Sequence, residues 1–563
     1  MSHRPLLRPY QSEAIAAVLQ ARRQGCQRMV VCLPTGAGKT VIFSELARMA
    51  RQPVLVLAHR EELLQQAQAK LQAALGDSRQ VGIEQADRSA SADASVVVAS
   101  LRSLHDQRLE RVMQQRQFGL ILYDECHHAV AEDNRRVLRQ LGCFDRDWQG
   151  TLLGLTATAH RADGLPLGDV FDRIVYHRAL PDLIEQGWLV PLRGFRIATT
   201  ADLSGLSSGG MDFREEELAQ AVDIEERNAL VARSIQELAR DRRTVAFCVT
   251  VGHARNLAKA LRHLGVRASI VHGEMASVDR ADVLQRFRDG AIEVLANVGV
   301  LTEGFDDPGV SCIAMARPTR SDGLYAQCVG RGTRLFDGKK DCLVLDFVDL
   351  SALSLMTLPT LFGLPPMMDL RGEDAGEAGK VWQRIQLDMP GFELEAGAIT
   401  LGEIQQRAAH FDPLTLRVDA EVRAISPLAW ESLGSRGLAL HFLTGSKALS
   451  EVLVLNQGGR GKRWLVLWDD KPKARFSSLE EAVQAVDWEV EQRGAQTLRS
   501  AMTDARWRDQ PIGAALATEM QQVRTQGQAR NRGEALKLLA FAQAHTRTAE
   551  VAARAAVAAP DKS

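Results

Sequence analysis

RMVVCLPTGAGKT, residues 28–40, is the stretch on which the fold turns. The apolar run Met29–Leu33 reads as a buried strand. Pro34, Gly36 and Gly38 break it before a helical pattern resumes at Lys39. A strand that passes through glycines into a helix turns several backbone N–H groups toward one point, and the helix N-terminus favours an anion there. Lys39 adds a point charge for β- and γ-phosphates, and Thr40 offers a hydroxyl to Mg2+. Thr35, Gly36, Gly38, Lys39 and Thr40 are thus the expected phosphate-binding residues of a nucleotide site. Leu33 stands where the general pattern has glycine.

Working outward, apolar runs alternate with helical patterns. Candidate strands lie at 28–33, 54–59, 95–100, 118–125 and 151–158, then at 244–250, 268–273, 293–300, 310–316 and 341–349. Apolar strands separated by helices predict parallel sheets covered on both faces. Two groups of five predict an α/β protein with tandem parallel-sheet domains at 1–195 and 196–352. The seam is expected in the Gly/Ser/Thr-rich region near 190–235. After 350 the texture changes, and six of the eight tryptophans lie there. A connecting segment is expected at 353–413, a small hairpin-and-helix module at 414–496, and a helical, mildly basic region at 497–563. Together these form a C-terminal α+β accessory region. The runs 451–456 and 462–468 flank QGGRG as a hairpin, with Trp464, Val466 and Trp468 on one side. The helix that follows offers Leu479, Ala482, Val483, Val486 and Val490 as its apolar face.

ILYDECHHAV, residues 121–130, sets five possible metal ligands in a row. On a continuing strand Cys126, His127 and His128 could not converge on one ion. A strand ending in Asp-Glu some 85 residues after a phosphate loop is better explained as the other half of the nucleotide site. Asp124 would hold Mg2+ bound to ATP, and Glu125 would orient and deprotonate the attacking water. Mg2+ takes oxygen ligands, so Thr40 and Asp124 are its expected holders. Further on, QCVGRGTR sets Arg331 and Arg334 three apart, on one face if this stretch is helical. Guanidinium forks match phosphate oxygens across a cleft.

In order along the chain, LRPYQ (7–11), LPTGAGKT, LAHREELLQQA, VVVASLRSL, DECH, TAT (156–158), VAFCVTVGHA, LANVGVLTEGFDDPGV and QCVGRGTR resemble the motifs of the superfamily 2 helicases and translocases, which are DEAD/DEAH-like and have two RecA-like domains. GLTATAHRADGLPLGDVF and LPTLFGLP are similar to the branch that holds XPB, bacterial RadD and the yeast mitochondrial branch-migration helicase. Ala159 departs from the proline usual in that branch, and the C-terminal cysteine cluster of RadD-type proteins has no counterpart after Cys342. The resemblance implies that Arg8, Tyr10 and Gln11 read the adenine and that Gly304 and Asp306 touch nucleotide from the second domain. It further implies that Arg331 and Arg334 complete the catalytic set of Lys39, Asp124 and Glu125. Arg60, Ser100, Thr250 and Thr302 would hold the nucleic-acid backbone. His127, Thr156, Thr158 and Gln327 would couple the two sites.

The expected activity is ATP-dependent movement along DNA, 3′-to-5′, on single-stranded, forked or branched substrates in repair, recombination or replication. One alternative is an RNA helicase. Another is a restriction-type translocase tied to a nuclease, for which Asp469, Asp470 and Lys471 formally supply an Asp-x-Lys triplet. A net charge of −1 confines any nucleic-acid surface to part of the molecule. The eight cysteines contain no C-x-x-C pair and read as reduced, mostly buried thiols. No apolar run approaches a membrane span, and the start lacks a signal peptide, so a cytoplasmic protein with no membrane partner is expected. From Arg499 to Lys562 there are ten Lys/Arg against six Asp/Glu, a net of +4, with Arg524, Arg530 and Arg532 close together.

Overall fold

The computed structural model describes residues 7–558 apart from 59–60, 77–78, 86–87, 105, 158–166, 207, 210–211, 303–304, 351–354, 390–391, 393, 395–398, 458–462, 524 and 526. The chain forms two compact units, Met1–Gly379 and Lys380–Ser563.

The first unit holds two parallel sheets. Strands β1 (Arg28–Cys32), β2 (Val54–Ala58), β3 (Val81–Glu84), β4 (Val96–Ser100), β5 (Leu120–Asp124), β6 (Thr151–Thr156) and β7 (Arg173–His177) lie in the order β3-β4-β2-β5-β6-β1-β7. Every residue of β2, β4 and β6 is buried, as expected of strands covered on both faces. Strands β8 (Leu192–Asp202), β9 (Thr244–Phe247), β10 (Ala268–His272), β11 (Val294–Val298), β12 (Cys312–Met315) and β13 (Cys342–Leu350) form the second sheet, ordered β10-β11-β9-β12-β13-β8. The architecture is α/β with two tandem RecA-like parallel sheets.

Three strands carry no apolar run and escape a reading by hydrophobic pattern. β3 has four residues, β7 is an exposed edge, and β8 alternates polar and apolar side chains. β8 pairs in parallel with β13, so the expected boundary at 195/196 falls inside a strand of the second sheet. A Cβ on Gly194 would lie 2.7 Å from Leu358 Cδ2. The nearby backbone also bonds Gly372 N to Gly194 O at 2.8 Å. The start of the expected connecting segment is therefore packed onto β8.

The second unit is built on an antiparallel sheet of β14 (Glu431–Ser432), β15 (Gly437–Leu443), β16 (Leu449–Asn456), β17 (Trp464–Trp468) and β18 (Lys471–Phe476), hydrogen-bonded in that order. Period-2 alternation splits it into two faces. Leu438, Leu440, Phe442, Val452, Trp464, Val466 and Trp468 pack on Ala482, Val483, Val486 and Val490 of the helix Leu479–Gln492. Ser478 caps that helix by accepting from Glu481 N at 3.1 Å. Ala439, Leu453, Leu455, Leu465 and Leu467 pack instead on Ala540, Phe541 and Ala544 of the helix Arg532–Ala558. Within the expected helical region 497–563, the last helix is one of two layers closing the sheet. Arg532 lies 5.5 Å from the Trp507 ring, and Arg524 is outside the described residues. No described helix is long and apolar enough to cross a membrane.

Candidate active site

Parallel strand order places the site. β1, β5 and β6 are neighbours, with Cys32 beside Thr156 and Asp124 beside Leu155, so the segments leaving their carboxyl ends meet. After β1 the chain turns through Gly36 (φ +87°) and Gly38 (φ +77°), which glycine adopts without a Cβ penalty. Lys39 then opens the helix Lys39–Met49.

At the end of β5, Glu125 is left-handed (φ 49°), unusual for a residue with a side chain. The twist explains how successive residues, which would face opposite sides of a continuing strand, both line one cavity. That cavity, about 260 Å³, is lined by Thr35, Gly36, Gly38, Lys39 and Thr40, by Asp124 and Glu125, and by Asp306, Arg331 and Arg334 of the second sheet domain. Lys39 Nζ lies 2.7 Å from Glu125 Oε1, with both side chains largely buried. A strong ion pair thus already holds the two groups expected to meet a phosphate and a water.

The helix Asp322–Gly330 ends before the arginines, so they do not share a helical face. They reach one cavity because the chain turns at Arg331. Arg331 is buried and donates to Phe305 O (2.8 Å) and Thr302 O (2.6 Å). Arg334 pairs with Asp306, whose other oxygen is 2.7 Å from Lys70 Nζ. Burial pushes the Asp306 carboxyl up, but Arg334, Lys70 and Arg331 outweigh it and hold it below the usual range. The two domains touch closely here. A Cβ on Gly330 would lie 2.7 Å from Thr35 Cβ, and one on Gly36 would lie 3.2 Å from Arg334 Cγ.

Arg8, Tyr10 and Gln11 stand beside the phosphate loop. Tyr10 OH (2.7 Å) and Gln11 Nε2 (3.0 Å) both donate to Ala37 O, while Gln11 Oε1 accepts from Arg8 N at 3.0 Å. His127 Nδ1 is 3.1 Å from Thr156 Oγ1, joining DECH to TAT. Gln327 is buried on the helix before Arg331. Ser100 closes β4, and Thr250 caps the helix Val251–His263 by accepting from His253 N at 3.2 Å. Thr302 donates to Gly299 O at 3.3 Å. Arg60, Thr158 and Gly304 lie outside the described residues. Two residues without a local sequence signal also belong here: Lys70 at the cavity wall and Trp188 against Arg8 and Tyr10.

Cys126 is fully buried, and a Cβ on Gly154 would sit 2.5 Å from its Sγ. The thiol fills space that Gly154 vacates. Burial pushes its pKa well above the usual value, which disfavours the thiolate a metal needs. Thr40 and Asp124 give the cavity two hard oxygen donors, a set that suits Mg2+ arriving with a nucleotide.

Residues 4–161 match the family model "Type III restriction enzyme, res subunit", and residues 226–335 match "Helicase conserved C-terminal domain". A Saccharomyces cerevisiae protein provisionally named ATP-dependent helicase IRC3 is 34% identical over 374 residues, 64% of this chain and 54% of that protein. A Schizosaccharomyces pombe protein provisionally named mitochondrial ATP-dependent helicase irc3 is 38% identical over 368 residues, 64% of this chain and 60% of that protein. The Escherichia coli type I restriction enzyme EcoAI endonuclease subunit is 25% identical over 404 residues, 66% of this chain and 49% of that subunit. The chain spans less than two thirds of the length of these curated relatives. Motifs, paired sheets and matches agree: this chain carries the two-domain motor of a superfamily 2, DEAD/DEAH-like helicase, in the branch of the yeast Irc3 proteins.

Proposed function

We propose that the chain is an ATP-driven DNA helicase or translocase acting 3′-to-5′ on single-stranded, forked or branched DNA, in repair, recombination or replication. One observation carries the reading: phosphate loop, Asp124-Glu125 and both arginines line a single cavity. Lys39 now occupies Glu125. Triphosphate oxygens give Lys39 a stronger partner, and the released Glu125 carboxylate can orient a water and take its proton. Mg2+, when bound with the nucleotide at Thr40 and Asp124, supplies charge neutralisation on the phosphates. Arg331, seated by Phe305 O and Thr302 O, and Arg334, seated by Asp306, meet the charge that develops on the transferred group. An arginine so placed is worth roughly 10³–10⁵ in rate. Loss of that charge after hydrolysis removes what draws the two domains together, which gives the cycle its two states.

Ser100 ends one parallel strand, and Thr250 and Thr302 follow the carboxyl ends of two others. These three, and Arg60, would hold backbone phosphates, and such contacts are independent of sequence. His127 and Thr156 would carry the state of the ATP site toward that track, with Thr158 and Gln327. Gln11, with Arg8 and Tyr10, would read the adenine, and Gly304 would approach the nucleotide from the second domain. The eight thiols are free, which suits a reducing compartment such as the cytoplasm, while the S. pombe relative is named mitochondrial.

The nuclease alternative loses its motif. Asp469 (φ 46°) and Asp470 (φ 63°) form the tight turn between β17 and β18, and the Asp469 carboxylate accepts from Ser450 Oγ (3.0 Å) and Glu451 N (2.9 Å). The test is ATP hydrolysis with single-stranded, duplex, forked and four-way DNA, with RNA as control, alongside strand displacement from 3′- and 5′-tailed duplexes. Greatest stimulation by forked or four-way DNA and displacement from 3′ tails are expected. Stimulation by RNA alone would install the RNA-helicase reading, and displacement only from 5′ tails would reverse the polarity.

A further inference from the structure

Trp188 belongs to none of the motifs, yet it sits where three of them meet. Arg8 Nη1 donates to Trp188 O at 3.3 Å and to Tyr10 OH at 3.2 Å. The Arg8 guanidinium lies 5.4 Å from the Trp188 ring centre, and the Tyr10 and Trp188 rings meet edge to face at 6.0 Å. Tyr10 and Gln11 in turn grip Ala37 of the phosphate loop. The next residue, Leu189, brings Cδ2 to 3.3 Å from where a Gly36 Cβ would stand. One residue further, Val190 N donates to Thr333 O at 2.8 Å, immediately before Arg334. Two residues beyond that, β8 begins the second sheet.

Three consecutive residues of the chain that links the domains therefore touch, in turn, the adenine-reading segment, the phosphate loop and the segment bearing the second arginine. A link three residues long has only six soft torsions to absorb a shift, so movement at one end is readily passed to the other. We infer that Trp188 is a positioning residue that fixes Arg8 at the nucleotide site and ties the identity of the bound base to the seating of Arg334. The inference rests on the reading of the cavity as an ATP site and deepens it. The Trp188 ring holds the Arg8 guanidinium by cation–π attraction, and Arg8 with Gln11 defines the edge that an adenine meets. When the base is wrong, Arg8 is drawn from its place on the ring, the 188–190 segment is held less firmly, and Thr333 with Arg334 settles less well. Base discrimination then appears in turnover as well as in binding.

The full-length chain is compared with Trp188→Ala and Trp188→Phe. Affinities for ADP and IDP are measured by titration calorimetry, and kcat and KM with ATP and ITP in saturating DNA. The parent is expected to favour adenine. Trp188→Ala should lose roughly tenfold in ADP affinity, the size of one good cation–π contact, with IDP affinity little changed. Its kcat with ATP should fall toward the ITP value. Trp188→Phe keeps a ring under Arg8 and should recover most of both. Equal loss for ADP and IDP, parent-like selectivity in Trp188→Ala, or Trp188→Phe no better than Trp188→Ala would overturn the inference while leaving the ATP site standing. Failure of the parent to bind either nucleotide would refute the ATP-site reading and this inference together.

Discussion

Three glycine-to-alanine changes can decide whether the closely packed cleft is the working geometry of the motor. Gly25 and Gly36 have almost the same left-handed backbone, φ +86° and +87°. An alanine at either should cost about 1–2 kcal/mol of stability, partly offset by the stiffer unfolded chain. Around Gly25 a new methyl meets nothing within 4 Å. At Gly36 it meets Arg334 Cγ at 3.2 Å, Leu189 Cδ2 at 3.3 Å and Thr333 Oγ1 at 3.4 Å. Ordinary carbon contacts are roughly 3.5–4.0 Å, so Arg334 must give by a few tenths of an ångström. A misplacement of about 1 Å can cost on the order of 10²-fold in rate, so Gly36→Ala should lower kcat roughly three- to tenfold. Gly330→Ala is more severe. Its backbone suits alanine, but the methyl would stand 2.7 Å from Thr35 Cβ, closer than real side chains approach. The domains could not close to this extent, and kcat should fall about 10²-fold with stability nearly unchanged. Denaturant unfolding, ADP titration and DNA-saturated ATP hydrolysis on all three variants are the measurements. Gly25→Ala slowing turnover as much as Gly36→Ala, or Gly330→Ala turning over at the parent rate, would refute the reasoning.

Lys39→Ala should abolish turnover, whereas Glu125→Gln should retain ATP binding and lose hydrolysis; phosphate release and nucleotide titration read both, and near-parent hydrolysis by Glu125→Gln would remove Glu125 from its role. Arg334→Ala should lower kcat with little change in unfolding, while Arg331→Ala should also destabilise by about 1–3 kcal/mol because it strands Phe305 O and Thr302 O; equal unfolding midpoints would contradict the difference. Cys126→Ala should cost roughly 1–2 kcal/mol by opening space against Gly154, with zinc content unchanged by elemental analysis; a stoichiometric zinc lost with the thiol would reverse that account. His441 is buried between Glu431 Oε2 (2.9 Å) and Glu451 Oε1 (3.0 Å). Burial opposes its charge, the two carboxylates outweigh it, and its pKa is raised to about 9. Because the folded value exceeds the unfolded one, this stabilisation is complete below about pH 6.5 and lost as pH rises through 9, up to about 3 kcal/mol of it. Denaturation of the second unit at pH 6.5 and 9.5 reads it, and His441→Gln should erase the difference.

The nucleotide site was legible because its residues act through local chemistry: a glycine turn into a helix at 34–40, and carboxylates ending an apolar strand at 124–125. Pattern alone could not supply Glu125's left-handed turn, which lets both carboxylates share a cavity, or the end of the helix at Gly330 just before the arginines. β7 and β8 were hidden because edge strands need no continuous apolar run. The packing of the helix Arg532–Ala558 was hidden for a different reason. Its alanines give no hint of burial until the leucine face of the sheet they cover is known, and that face comes from strands 73 to 91 residues earlier. Trp188 and Lys70 carry no motif, and only the contacts across the cleft single them out.

That last helix also sets a timetable for synthesis. Both parallel sheets of the first unit have all their strands once residue 350 has emerged, and they can close while translation continues. The accessory sheet cannot. β17 ends at Trp468, but the helix that covers Leu453, Leu455, Leu465 and Leu467 begins about 65 residues later. At roughly 5–20 residues per second the leucine face stays bare for about 3 to 13 seconds on every ribosome. A nascent chain stalled in that window presents apolar strand surface next to a finished motor. Cellular yield should therefore depend more on the speed of translation between 468 and 544, and on holding chaperones during it, than on the stability of the ATP-binding domains.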